Sequence, residues 1–140
     1  MPKLSIIAWS GTADKLYPVA ILSSAAAASG WDVEIFFTFW GLLSISKNFM
    51  QKTMEKISTD YSQFAGNMAS AMQEAGLPPW WDLLRQAKEI AGDKVKIYAC
   101  STTMDLLKVK REDLADFVSD VVGAATFLER SSDANVTLFI

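Results

Sequence analysis

The apolar positions of this chain fall into two recurring arrangements: short runs rich in β-branched and aromatic residues, and longer stretches with helical spacing. Lys3 to Trp9 is the first short run, closed by Ser10-Gly11-Thr12, and it predicts a strand and its turn. The alanine-rich stretch Val19 to Ser29 predicts a helix that stops at Gly30 in the C′ position, with Asp14 or Thr12 as its cap and Pro18 tolerated in its first turn. Trp31 to Trp40 is the second strand-like run. Val33, Ile35, Phe36, Phe37 and Phe39 do not alternate with polar residues there, which is the pattern of a parallel strand buried on both faces. Lys94 to Cys100 and Asn135 to Ile140 repeat it, each after a helical segment.

Between the second and third of these runs the spacing turns helical. Phe49, Met50, Met54 and Ile57, and later Phe64, Met68 and Met72, predict a helical insertion over residues 42–78, ended by Leu77-Pro78-Pro79. Trp80 to Ala91 predicts a helix with Leu83, Leu84, Ala87, Ile90 and Ala91 on one face and Gly92 as its stop. Asp116 to Val122 is read as a short strand and Gly123 to Arg130 as the last helix. Strands alternating with helices predict an α/β fold with a mostly parallel sheet, in one domain over residues 1–140.

Composition narrows the chemistry. At 140 residues and 51% hydrophobic, the chain is long enough for one core. Its net charge of -3, with 13 basic and 16 acidic residues and no basic cluster longer than Lys108 to Arg111, gives no electrostatic footprint for nucleic acid. The run Val19 to Ala28 is interrupted by Ser23 and Ser24 and falls short of the roughly 20 residues a bilayer requires. The first residues lack a signal-peptide pattern, so a cytoplasmic location is expected. There is no histidine, which excludes Ser-His-Asp and Cys-His hydrolases, and the residues predict neither a metal centre nor a resident cofactor.

The chemistry that remains centres on the one cysteine. In an open parallel sheet, ligands gather outside the carboxyl ends of the strands, at the crevice where strand order reverses. Cys100 falls at such an end, directly after Val95-Lys96-Ile97-Tyr98-Ala99, and Ser101-Thr102-Thr103 are suited to start a helix. Backbone N–H groups and the positive end of a helix dipole would favour the thiolate there. Ser10, Gly11 and Thr12 and the pair Trp40-Gly41 are turn-forming residues at the same sheet edge and can wall a small pocket with Ser101 and Thr102.

Other readings of the same letters stay open. Cys100 can be a small buried hydrophobe at a strand end. Ser10 to Asp14 can be a phosphate-binding loop of a flavin or nucleotide protein, although it holds one glycine and no G-x-G-x-x-G pattern. The methionines at i, i+4 spacing read as core or subunit interface, and Glu55, Asp60, Glu112 and Asp113 as solvated. The aromatics at Phe36 to Trp40 and Trp80-Trp81 suggest burial in an oligomer interface.

Phe36-Phe37-Thr38-Phe39-Trp40-Gly41, the segment Ile97-Tyr98-Ala99-Cys100-Ser101 followed by Met104-Asp105, and the ending Ala134 to Ile140 resemble the DsrE/DsrF-like family of sulfur-relay proteins, in its peroxiredoxin-related branch. The resemblance spans nearly the whole chain. It implies a three-layer, flavodoxin-like α/β fold of about five strands, a homo-oligomer, and a cysteine that accepts sulfane sulfur and passes it to a partner thiol. Carried over by position, that cysteine is Cys100, with Ser101, Thr102 and Met104 in the loop around it. The partners implied are TusA-like carriers or rhodanese-like donors. Peroxidase chemistry is not implied, because no Pro-x-x-x-Thr-x-x-Cys stretch precedes Cys100.

Overall fold

The computed structural model describes residues 1–140. Five strands form one parallel sheet: β1 (Lys3–Ala8), β2 (Asp32–Phe37), β3 (Val95–Cys100), β4 (Asp120–Val122) and β5 (Val136–Phe139), in the order β4-β3-β2-β1-β5. The helices are α1 (Ala13–Ala28), α2 (Trp40–Ser44), α3 (Ala65–Ala75), α4 (Trp80–Ala91), α5 (Ser101–Leu107) and α6 (Ala124–Ser131).

Side chains alternate across the three central strands. Leu4, Ile6 and Ala8, Val33, Ile35 and Phe37, and Val95, Ile97 and Ala99 face the main core, where α1 and α4 pack. Ile7, Phe36, Tyr98 and Cys100 face the other side and meet Val122 of β4 and Phe127 of α6, whose ring stacks on Phe36 at 4.8 Å. Both faces of β2 are therefore covered, as its unbroken apolar run predicts. The layers are helices, sheet and helix.

From β1 to β4 the chain steps in one direction across the sheet. It returns only once, through α6, to lay β5 beside β1. Strand order thus reverses between β1 and β5. Cys100 does end its strand, but in the middle of the sheet between β2 and β4, and it is the loop after β1 that lies at the reversal.

Several local expectations are corrected. Pro18 is the sixth residue of α1, past its first turn, because the helix already begins at Ala13; the chain there forgoes one bond to the Asp14 carbonyl. Thr12 holds the N-cap position without a side-chain bond to a backbone amide of the helix, and Asp14 turns to Ser58 instead. On α4 the fully buried face is Trp80, Leu84 and Ala87, while Ile90 is exposed. Residues 116 and 117 form a turn and 118 and 119 are irregular rather than strand, since β4 is limited to the three residues that pair with β3. β5 is an edge strand, so most of it faces solvent despite its apolar letters.

Between β2 and α4 the chain runs through α2, two 3-10 segments (Gln51–Glu55 and Thr59–Phe64) and α3. Met50, Met54, Met68 and Met72 pack against the main core from this segment without being fully buried. Trp80 anchors it from below, its indole N–H donating to the Thr53 hydroxyl at 2.8 Å.

Candidate functional site around Cys100

Because all strands are parallel, the ends of β1, β2, β3 and β4 open on one edge of the sheet. Cys100 is the last residue of β3 and holds the N-cap position of α5. Ser101 is already the first helical residue, so the cysteine itself occupies the place the sequence suggested for its neighbours. It is 5% exposed, packed on one side by Phe36, Tyr98, Val122 and Phe127. The start of α6 comes close as well, with Gly123 beside the Ser101 hydroxyl.

The polar side of the thiol is built by the turn after β2. Thr38 follows that strand, and its hydroxyl lies 3.1 Å from the hydroxyl of Thr103. The Phe39 amide donates to the same Thr103 oxygen at 3.1 Å, which occupies a lone pair and leaves the Thr103 proton for another acceptor. Burial pushes the Cys100 thiol up. The Thr103 hydroxyl and amide, the Thr38 hydroxyl and the Thr102 amide outweigh this and hold its pKa below the ordinary thiol value.

Phe39 has φ 48° and ψ −119°, a conformation that L-residues rarely adopt and that costs on the order of 1–3 kcal/mol. The reason is the chain's path. Thr38 must stay at the end of β2, bonded to the Ala8 carbonyl, while Gly41 presses against the end of β1 so closely that a Cβ would overlap that same carbonyl. Phe39 absorbs the bend between them. Its ring and that of Trp40 meet edge to face at 6.2 Å, and Trp9, Phe39 and Trp40 stay 39%, 42% and 47% exposed.

Ser101 and Thr102 open α5 beside the sulfur. Met104 is buried in the main core, so its side chain does not face an open pocket. Ser10, Gly11, Thr12 and Trp40 come together, but in a separate cavity of about 550 Å³ at the end of β1, whose walls do not include Cys100. Gly41 is not among its walls and packs against Ala8. Thr38 and Thr103, the residues closest to the sulfur's polar side, carry no local sequence signal beyond hydroxyls near two strand ends.

The class is an open parallel α/β protein, with its cysteine between a strand and a helix. The chain belongs to the DsrE/DsrF/DrsH-like family, which it matches over residues 1–139. It is 30% identical over 156 aligned positions to the sulfur carrier protein DsrE2 of Allochromatium vinosum, covering 99% of this chain and 98% of the relative. It is 32% identical over 157 positions to the uncharacterized protein YrkE of Bacillus subtilis, covering 99% and 96%. Among solved structures it is similar to the ychN protein of E. coli (TM-score 0.64, 16% identity) and to MTH1491 of Methanobacterium thermoautotrophicum, a protein of unknown function (TM-score 0.62, 14% identity), each covered completely in both chains. No helix is long and apolar enough to cross a membrane.

Proposed function

We propose that this protein is a sulfur carrier that loads sulfane sulfur on Cys100 and hands it to a partner thiol. In the first step the Cys100 thiolate attacks the outer sulfur of a persulfide donor, R–S–SH. The donor's S–S bond breaks, R–S⁻ leaves, and Cys100–S–SH remains. In the second step an acceptor thiolate attacks the terminal sulfur and restores the Cys100 thiolate. Sulfur is transferred without net redox change, so no cofactor takes part. The step needs no histidine if the thiolate is already formed.

The observation that carries this reading is the place of Cys100, buried at the end of β3 and the N-cap of α5 beside the linked hydroxyls of Thr38 and Thr103, whose polar groups with those of Thr102 lower its thiol pKa against the effect of burial. The exposed Phe39 ring on the same edge, with Leu106 in the helix after Cys100, offers an apolar surface to a TusA-like or rhodanese-like protein or to a second copy of this chain. Family membership and the relative named as a sulfur carrier support a sulfur-relay role.

The test is intact-mass spectrometry after incubation with polysulfide and then dithiothreitol. Native protein should gain the mass of one or more sulfur atoms and lose it on reduction, and Cys100→Ser should gain none. A native protein that stays unloaded while the unfolded chain reacts would make Cys100 a core residue only.

A further inference from the structure

The cavity at the end of β1 carries a chemistry that sulfur transfer does not use. It lies beside the point where strand order reverses, the position at which open α/β sheets hold ligands. The loop that floors it is fixed, since the amides of Trp9 and Ser10 both donate to the Ile140 carbonyl at the end of β5. At about 550 Å³ it is far larger than a sulfur atom or a small oxyanion needs and falls in the size range of organic ligands.

Its walls combine two features. Trp9, Trp40 and Phe49 are all substantially exposed, an unusual investment of large aromatic surface in one place. Lys15, Lys52 and Lys56 line the same space, and none of them is in an ion pair. Lys52 instead lies over the Phe49 ring at 5.3 Å. No carboxylate is among the lining residues. Two acids stand at its margin: Asp14 is held by the amide and hydroxyl of Ser58, a lining residue, and Glu55 lines the neighbouring methionine-walled cavity, which Lys56 also reaches. Three lysines without a salt bridge, gathered in a protein of net charge -3, make a local site for a multiply charged anion.

We infer that this cavity binds a nucleotide, with its heteroaromatic ring against the tryptophan wall and its phosphates on Lys15, Lys52 and Lys56. The ring accounts for the aromatics and the phosphates for the lysines. Neither a bare anion nor an apolar ligand would use both.

Isothermal titration calorimetry with ADP, FMN, adenosine and pyrophosphate tests this on the full chain. ADP or FMN should bind with a dissociation constant on the order of tens of micromolar at low salt and weaken as salt screens the lysines. Adenosine and pyrophosphate should each bind at least about tenfold more weakly than the nucleotide. The exposed pair Lys52→Ala/Lys56→Ala should weaken the nucleotide by about tenfold or more, and Trp40→Leu should do so while Trp40→Phe retains most of the affinity. No heat from either nucleotide at roughly millimolar concentration, affinity unchanged in the lysine pair, or pyrophosphate binding as tightly as ADP would each overturn the inference. Titrating Cys100→Ser in parallel keeps this site apart from sulfur loading, because Cys100 is not among the residues lining the cavity.

Discussion

The hydroxyls of Thr38 and Thr103 lie 3.1 Å apart, joining the end of β2 to the helix that follows Cys100. The contact fixes the turn that carries Phe39 and orients two polar groups at one sulfur. Thr103 is almost fully buried, so its hydroxyl needs partners, and it finds them in Thr38 and the Phe39 amide.

Thr103→Val keeps the shape and removes the hydroxyl. It leaves the Phe39 amide without its acceptor, at a cost of about 1–3 kcal/mol. The Cys100 thiol loses the largest of the interactions that lower its pKa, so the midpoint of alkylation by iodoacetamide against pH should move up, and the rate near neutral pH should fall several-fold. A profile unchanged from the native protein would mean that Thr103 does not set the thiolate.

The cradle was illegible in the sequence for a physical reason. Thr38 and Thr103 are 65 residues apart, and only the register of β2 against β3, with Phe37 opposite Ala99, brings their strand ends together. Cys100 was legible because it closes an apolar run just before hydroxyl residues suited to a helix start. The same local logic failed at β5. Val136 to Phe139 has the letters of a buried strand, but its position at the sheet edge is decided by the return through α6, which no local pattern encodes. It failed again for the Ser10 loop and Cys100, whose placement on one pocket assumed that residues at the same sheet edge share a cavity.

Gly41 and Gly66 make a matched pair of substitutions. A Cβ on Gly41 would run into the Ala8 carbonyl, which is backbone held in the sheet and cannot swing away. Gly41→Ala should therefore cost about 3 kcal/mol or more. Gly66, in the first turn of α3, has nothing within 4 Å, and Gly66→Ala should stabilise by up to about 1 kcal/mol through helix propensity. Thermal unfolding followed by circular dichroism should move in opposite directions for the two.

Asp14 holds the segment after α2 to the start of α1. Its carboxylate accepts from the Ser58 hydroxyl at 2.6 Å and from the Ser58 amide at 3.2 Å, and the Ala13 amide reaches the Lys56 carbonyl at 2.9 Å. Burial acts to raise the Asp14 pKa, but the Ser58 and Thr12 hydroxyls and the Ser58 amide hold it below the ordinary carboxylate value. A depressed acid contributes stability above its unfolded pKa and loses it as pH falls through the folded one, so the tether weakens below about pH 4. Hydrogen exchange over residues 51–77 should accelerate in that window. Asp14→Asn should show the faster exchange already at neutral pH and remove most of its pH dependence.

On the opposite face, the Tyr98 hydroxyl donates to the Glu34 carboxylate at 3.2 Å, with Lys3 3.5 Å from the other carboxylate oxygen. Burial, followed by the negative charge of Glu34, pushes the Tyr98 pKa up to about 12. A raised phenol favours its neutral form in the fold. The stabilisation is complete below the unfolded value near 10 and is lost as pH rises toward the folded one, an effect of about 2–3 kcal/mol across that interval. Tyrosinate absorbance, taken as the difference between native protein and Tyr98→Phe, should therefore appear only near the top of that range. Glu34→Gln keeps an acceptor but removes the charge, so the Tyr98 titration should move down toward its ordinary value and the alkaline loss of stability should shrink. If Tyr98 titrates at the same pH in both proteins, burial alone raises it and the carboxylate is a bystander.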